Sequence, residues 1–364
     1  MPAKYPTHPS QLTSEWLTAQ LRASGALKDG RITDFTTEPV GEGVGMLGIL
    51  VRVTPTYDRP EASAPKSFIA KFATPIVGNR TVAMVFKLYE REVSFYTKIA
   101  PNVRAAAPIC YAGEIDPTTG DSVLLLEDLA GYRMGDQVAG CTAAEAFEII
   151  DAVVPLHVKY WGRADEIGLP CVPHIDGDLQ IAGISGGCEV GWDPCVERFG
   201  ASMAEEIKAS KSKFVPAVPA LHHMIGGRTQ TVIHGDVRLD NLMFGVTPGQ
   251  HPVVLVDWSL TISTGLHDVA YLLSQNVKTE QRRANEAALL SHYHKRLHEN
   301  GITYSLDQVW EDYKVAVLYL LSYAIVIGGT LDPSNERGAN FMSKLIERSS
   351  TTVMDHDLLS LLPS

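Results

Sequence analysis

The stretch Thr231–Asp257, TVIHGDVRLDNLMFGVTPGQHPVVLVD, constrains this chain more than any other. An apolar run ends in His234-Gly235-Asp236, and Asn241 follows Asp236 five positions later. Two short apolar runs, 242–244 and 253–256, flank the turn-rich segment 245–252, which contains Pro248-Gly249. Apolar runs on either side of a Gly/Pro loop predict a β-hairpin. Folding about Gly249 places Asn241 across from Asp257 and beside Asp236. An amide oxygen and a carboxylate converging there can hold magnesium, while the neighbouring carboxylate orients a hydroxyl for phosphoryl transfer. Asp, Asn and Gly also favour ordinary turns, so the rest of the chain has to decide between the two readings.

At 364 residues the chain predicts two or three lobes. A hydrophobic content of 45% with 20% charged residues suits a soluble globular enzyme with a sizeable core. The formal charge of −11 argues against nucleic acid or an anionic membrane surface as the main partner. The N-terminal ten residues are polar and contain proline, with no signal-peptide core. The most apolar segment, 315–328, is short for a membrane span and reads as a buried core helix. Five cysteines without a Cys-x-x-Cys pair fit a reducing cytoplasm.

Along the chain, residues 14–23 read as an amphipathic helix closed after Ser24 by Gly25. Strands separated by turns run from Ile32 to about Phe72, followed by one helix over 81–99 and strand-like text at 109–115 and 122–127. From Thr142 helical patterns dominate, the hairpin excepted. The expected fold is therefore α+β and two-lobed, with an N-terminal lobe over 1–128, a mainly helical C-terminal lobe over 129–364, and a hinge near 127–131. Segment 168–194 is rich in Gly and Pro without a sustained period, and reads as a functional irregular segment or a surface insertion.

Four further pieces suit the same chemistry. In Gly41-Glu42-Gly43-Val44-Gly45, glycines such as Gly43 and Gly45 let backbone N–H groups approach phosphate oxygens, though a hairpin turn uses them equally well. Lys71 sits in the apolar strand 67–73, where its ammonium either meets an anion or snorkels from an edge strand. Glu92 falls within the apolar stripe of Val85, Leu88, Tyr89, Tyr96 and Ile99, so it either pairs with a cation such as Lys71 or the helix is rotated to put it in solvent. Leu124–Gly131 reads as a strand leaving the core for a linker whose backbone can meet an adenine edge.

With these pieces in order, the sequence resembles the aminoglycoside phosphotransferase and choline kinase superfamily, and looks closest to its ecdysteroid-kinase-like branch. The resemblance rests on segment 67–71, Glu92-Val93-Ser94-Phe95-Tyr96, Leu126-Glu127-Asp128-Leu129, His234-Gly235-Asp236 with Asn241, and Asp257-Trp258. It implies a protein-kinase-like fold in which Asp236 is the catalytic base or hydroxyl-orienting residue and Asn241 and Asp257 hold Mg2+. It also implies that Lys71 and Glu92 position the phosphates of ATP and that the backbone at Glu127 and Leu129 meets adenine. His234 is expected to brace the catalytic loop, and Asp268 to be structural, as a helix start. Gly235 stands where protein kinases have arginine, and no Ala-Pro-Glu motif follows, which argues against a protein substrate.

The resulting expectation is an ATP-dependent O-phosphotransferase of a small hydroxylated molecule. A lipophilic or steroid-like alcohol is suggested by the aromatic segment 310–327 (Trp310, Tyr313, Tyr319, Tyr323), although most of these residues read as core. The alternatives are an aminoglycoside-type acceptor, recognised by acids such as Asp176, Asp178, Glu189 and Asp193, and a nucleotide-binding pseudokinase scaffold.

Overall fold

A computed structural model describes residues 4–41, 47–103, 105–333 and 335–363. The chain divides into two compact units, Met1–Tyr132 and Arg133–Ser364.

The first unit opens with helix α1, Ser14–Ala23, whose N-terminus is capped by Thr13 Oγ1 accepting the Trp16 N–H at 3.1 Å. Gly25, at φ +78°, ends it in the left-handed region. Strands β1 (Ile32–Pro39), β2 (Gly48–Tyr57) and β3 (Phe68–Ala73) follow, then helices α2 (Val77–Val85) and α3 (Leu88–Ser94), then β4 (Cys110–Ile115) and β5 (Ser122–Glu127). The strands form one antiparallel sheet in the order β1-β2-β3-β5-β4. Alternation sorts its faces. Phe68, Ala70 and Phe72 pack with Leu17 and Leu21 of α1 and with Val51, Val53, Val123 and Leu125 in one buried cluster. Ala73 belongs to a separate cluster with Ala83 and Tyr89, on the side that carries α2 and α3.

The single helix expected over 81–99 is in fact two. Lys87 adopts the left-handed conformation at φ +53° and breaks the run after Phe86. The Arg91 guanidinium donates back to the freed Phe86 carbonyl, which satisfies the end of α2. Neither glycine nor proline marks the break, so periodicity could not locate it. Val85, assigned to the buried stripe, is 50% exposed.

The second unit contains β6 (Arg133–Met134) and helices α4 (Ala143–Tyr160), α5 (Asp178–Phe199), α6 (Glu205–Ala209) and α7 (Lys211–Gly226). Strands β7 (Thr231–Ile233), β8 (Leu242–Phe244), β9 (Val253–Leu255) and β10 (Thr261–Ser263) come next. Helices α8 (Leu266–Tyr271), α9 (Thr279–Glu299), α10 (Leu306–Thr330) and α11 (Glu336–Asp355) complete it. Helix α10 is the one helix among the described residues long and apolar enough to cross a membrane, and it packs against α5, α7, α8, α9 and α11. Tyr313 and Tyr319, expected as mostly core, are fully buried in it.

Segment 168–194 is irregular only over residues 168–177; from Asp178 onward it is helix α5. Gly187 and Gly191 serve close helix packing. A Cβ on Gly329 of α10 would lie 1.9 Å from the Gly191 carbonyl oxygen, and one on Gly187 would lie 3.1 Å from Val326. Residues that read as loop-formers are spacers between two helices.

Candidate active site

In the first unit, Lys71 lies on β3 between β2 and β5, so it is not on an edge strand and does not snorkel from one. Its Nζ meets Glu92 Oε1 at 2.7 Å, and both side chains are largely buried, at 14% and 11% exposure. A helix rotated to put Glu92 in solvent is thereby ruled out. Tyr89, one turn earlier on α3, fixes that helix to the sheet. Its hydroxyl donates to the Leu47 carbonyl at 2.8 Å and accepts the Thr74 N–H at 3.2 Å. The ammonium is thus held on a rigid strand by a carboxylate on an anchored helix, which suits a phosphate-facing cation. Gly43 and Gly45 lie outside the described residues.

At the end of β5, the Glu127 N–H is taken by the Ile109 carbonyl at 2.8 Å, and the Leu129 carbonyl accepts from Tyr132 N at 2.9 Å. The Leu129 N–H donates to no described residue. Asp128 secures this stretch, accepting from Arg52 Nε at 2.6 Å, Ser67 Oγ at 2.7 Å and Ala130 N at 3.0 Å. Burial pushes the Asp128 carboxyl up, but these donors outweigh it and hold it below the usual carboxylate range. Sequence reading missed this clamp, since its members are 76 and 61 positions apart.

In the second unit, the expected hairpin is present, with β8 and β9 antiparallel and Leu242 opposite Leu255. The register carries Asn241 opposite Val256, whose N–H donates to the Asn241 carbonyl at 3.0 Å. Asp257 is therefore one residue beyond the position directly across from Asn241. It is exposed and sits at φ +59°, a left-handed conformation uncommon for a residue with a side chain. Asn241 is 2% exposed, and its Nδ2 donates to Asp236 Oδ2 at 2.9 Å and to the Asp236 carbonyl at 3.0 Å. Those two bonds turn its Oδ1 away from Asp236, and among the described residues that oxygen meets Arg238 Nε alone, at 3.4 Å. The buried Tyr271 phenol keeps its proton, pushed far up first by burial and then by the charge of the nearby Asp236 carboxylate.

The backbone beneath Asp236 is clamped from two sides. His234 Nδ1 accepts the Asp236 N–H at 3.1 Å, while its Nε2 bonds the Val256 carbonyl at 3.0 Å, tying the loop to the strand that leads to Asp257. Burial pushes the His234 imidazole down, against the nearby carboxylates, and a neutral ring is what this acceptor-and-donor pattern requires. Asp268 is fully buried. It accepts the His234 N–H at 2.8 Å and the Gly235 N–H at 3.0 Å, and His157 Nε2 lies 3.1 Å from it. His157 Nδ1 is in turn bonded to the Tyr293 hydroxyl at 3.0 Å. Asp268 is thus structural as expected, but as a clamp on the catalytic loop: it lies within the first turn of α8 and does not cap it. Gly235 is required locally, since φ is +84° and a Cβ would meet the Ser259 carbonyl oxygen at 3.0 Å.

These side chains fit magnesium. Among the described residues no group of three or more His, Cys, Asp or Glu could hold a metal. One carboxylate and one amide oxygen, completed by water and phosphate oxygens, is the sparse hard-oxygen set that magnesium takes beside a nucleotide. Asn241 Oδ1, oriented by its own amide bonds, and the exposed Asp257 carboxylate would hold it.

An antiparallel five-stranded sheet bearing a buried Lys–Glu pair, followed by a helical unit with an Asp…Asn–hairpin–Asp loop, defines a protein-kinase-like fold. The chain belongs to the ecdysteroid kinase-like family, whose profile matches residues 42–158 and 194–303. Similar solved structures include choline kinase from Cryptosporidium parvum Iowa II, with a TM-score of 0.56 at 12% identity over 96% of this chain and 98% of that one. The GDP complex of wild-type aminoglycoside 2'-phosphotransferase-IIIa gives a TM-score of 0.53 at 12% identity over 94% and 99%. Plasmodium vivax ethanolamine kinase gives 0.50 at 10% identity over 89% and 83%. At these identities the likeness is one of fold. No curated protein sequence matches the chain.

Proposed function

We propose that the protein is a magnesium-dependent, ATP-using O-phosphotransferase acting on a small hydroxylated molecule. The observation that carries this reading is the loop of the second unit. There Asp236 is held at 2.9 Å by Asn241, beside Asp257, on a backbone clamped by His234 and Asp268. Asp236 would orient the acceptor hydroxyl and take its proton as the new P–O bond forms. Magnesium at Asn241 and Asp257 would neutralise phosphate charge, and Lys71, set by Glu92, would hold the nucleotide phosphates. Purine-nucleotide binding is supported by the GDP found in the aminoglycoside phosphotransferase of like fold, and ATP as the donor is part of the proposal.

The acceptor class we propose is a neutral lipophilic or steroid-like alcohol, supported by membership of a family described as ecdysteroid kinase-like. An aminoglycoside acceptor has less support. Of the acids that would recognise it, Asp193 is committed to Lys211 at 2.6 Å, and Asp178 occupies the first turn of α5. Five free thiols favour a reducing compartment, and we place the protein in the cytoplasm.

Incubation with magnesium and ATP against steroids, long-chain alcohols, choline and aminoglycosides, read by mass spectrometry for an added phosphate, tests this reading. Phosphorylation of a neutral lipophilic alcohol is expected. A phosphorylated aminoglycoside would replace the acceptor class, and nucleotide binding without transfer to any acceptor would favour a scaffold.

A further inference from the structure

Asn276 is fully buried, and its carboxamide bridges the middle of the loop that runs from Asp236 to Asn241. Oδ1 accepts the Leu239 N–H at 2.9 Å, while Nδ2 donates to the Val237 carbonyl at 3.3 Å and to the Tyr271 carbonyl at 3.1 Å. A carboxamide offers an acceptor oxygen and two donor hydrogens in one plane, and this site uses both kinds. Asp268 holds His234 and Gly235, upstream of Asp236, so the two side chains grip the loop on opposite sides of that residue. Both come from one helical run. Asp268 lies in its first turn, and Asn276 ends the wide turn Leu272–Asn276, closed by the Val277 N–H on the Leu272 carbonyl at 3.1 Å. Turns of this π type are frequent at functional sites. Asn276 is itself fixed, since its carbonyl accepts the Cys141 N–H at 3.0 Å and the Gln275 carbonyl accepts from Arg348 Nη1 at 3.2 Å.

We infer that Asn276 is a positioning residue for magnesium: by fixing Val237 and Leu239 it sets where Asn241 presents its Oδ1. This rests on the phosphotransferase reading. Asn276 acts through the loop and is not itself a ligand. Without its carboxamide the buried Leu239 N–H loses its acceptor, and the backbone must shift toward another partner or water. Asn241 can keep its bonds to Asp236 through such a shift, but its place relative to Asp257 is then no longer fixed. Side chains behind a metal ligand commonly change metal affinity by an order of magnitude or more. Lys71 and Glu92 belong to the other unit, so the hold on nucleotide phosphates that needs no metal should survive the change.

The test needs no known acceptor. ADP affinity is measured by titration calorimetry on the full chain, once in a chelator and once in saturating magnesium, for wild type, Asn276→Ala and Asn276→Asp. Melting temperatures confirm folding. All three should bind ADP alike in the chelator. Magnesium should tighten ADP binding to wild type, and the alanine variant should lose about 10-fold or more of that gain. The aspartate variant keeps an acceptor for the Leu239 N–H but has no amide donor for the two carbonyls, so it should also lose part of the gain. A full magnesium gain in a folded Asn276→Ala overturns the role of Asn276. So does an equal loss of affinity with and without magnesium, which is what a merely structural residue would give. Should Asn276→Ala fail to fold, the aspartate variant decides, and a gain equal to wild type overturns the proposal. Absence of any magnesium-dependent ADP binding by wild type sinks the phosphotransferase reading itself.

Discussion

The Lys71–Glu92 pair and the Asp236 loop serve one proposed reaction but are built by different means. The first is a 2.7 Å ion pair between a central strand and an anchored helix. The second is a short irregular backbone held by Asp268, His157, His234 and Asn241, nearly all of them fully buried. A cation on a strand is positioned by regular structure, whereas a loop has no ladder of its own and its N–H groups must be satisfied by buried side chains. The first unit's pair should therefore carry activity with little of the stability, and the second unit's network should carry both.

The largest effect on stability is expected from Asp268→Ala, which strands two backbone N–H groups and His157. A loss of about 3–5 kcal/mol in urea unfolding, with activity abolished, is predicted. A loss below about 1 kcal/mol would mean that the clamp is not what holds the loop.

Acid should destabilise the second unit through its buried histidines. The buried imidazole of His267 is pushed down to about 4, chiefly by burial, and His222 and His234 are pushed down for the same reason. Above about pH 6.5 both folded and unfolded forms are neutral and the stability is fully present. As pH falls from 6.5 toward 4 the unfolded chain binds protons that the folded chain refuses, so stability is lost, by about 3 kcal/mol for His267 alone. His267→Phe, keeping a ring beside Tyr319, should flatten that slope in urea midpoints taken across this range. An unchanged slope would remove His267 from the account.

A smaller cost, about 2 kcal/mol, is expected for Gly235→Ala, from the left-handed φ and the contact with the Ser259 carbonyl. Because the strain falls next to Asp236, activity should drop more than stability does. A variant as active as wild type would show that the loop can shift without consequence.

The smallest change in stability is predicted for Glu92→Gln, within about 1 kcal/mol, since glutamine keeps the shape and its carbonyl oxygen still accepts from Lys71. Its turnover should fall by about 10–100-fold through a mispositioned ammonium. If Glu92→Gln costs more stability than Asp268→Ala, the contrast between the two regions is inverted.

The same contrast governs what could be read from the sequence. Lys71 and Glu92 each broke a hydrophobic period, which is a local signal, and Asp236, Asn241 and Asp257 were spaced by a hairpin that the Gly/Pro turn announced. The kinase-like fold followed from their order. Tyr89 anchoring α3, Asp128 with Arg52 and Ser67, and His157 behind Asp268 join residues far apart in the chain, and no spacing rule reaches them. The break at Lys87 carried no turn residue, and the glycines of α5 looked like a loop because close helix packing and tight turns call for the same residue.

The most direct test is single-turnover transfer from ATP to an acceptor identified in the alcohol screen, comparing wild type with Asp236→Asn at matched ATP affinity. The carboxamide keeps the shape and can still bond Asn241, but it cannot take the acceptor proton. Transfer slowed by about 1,000-fold or more, with folding and nucleotide affinity intact, is the predicted result. Transfer at the wild-type rate would contradict the assignment of Asp236 as the residue that activates the acceptor.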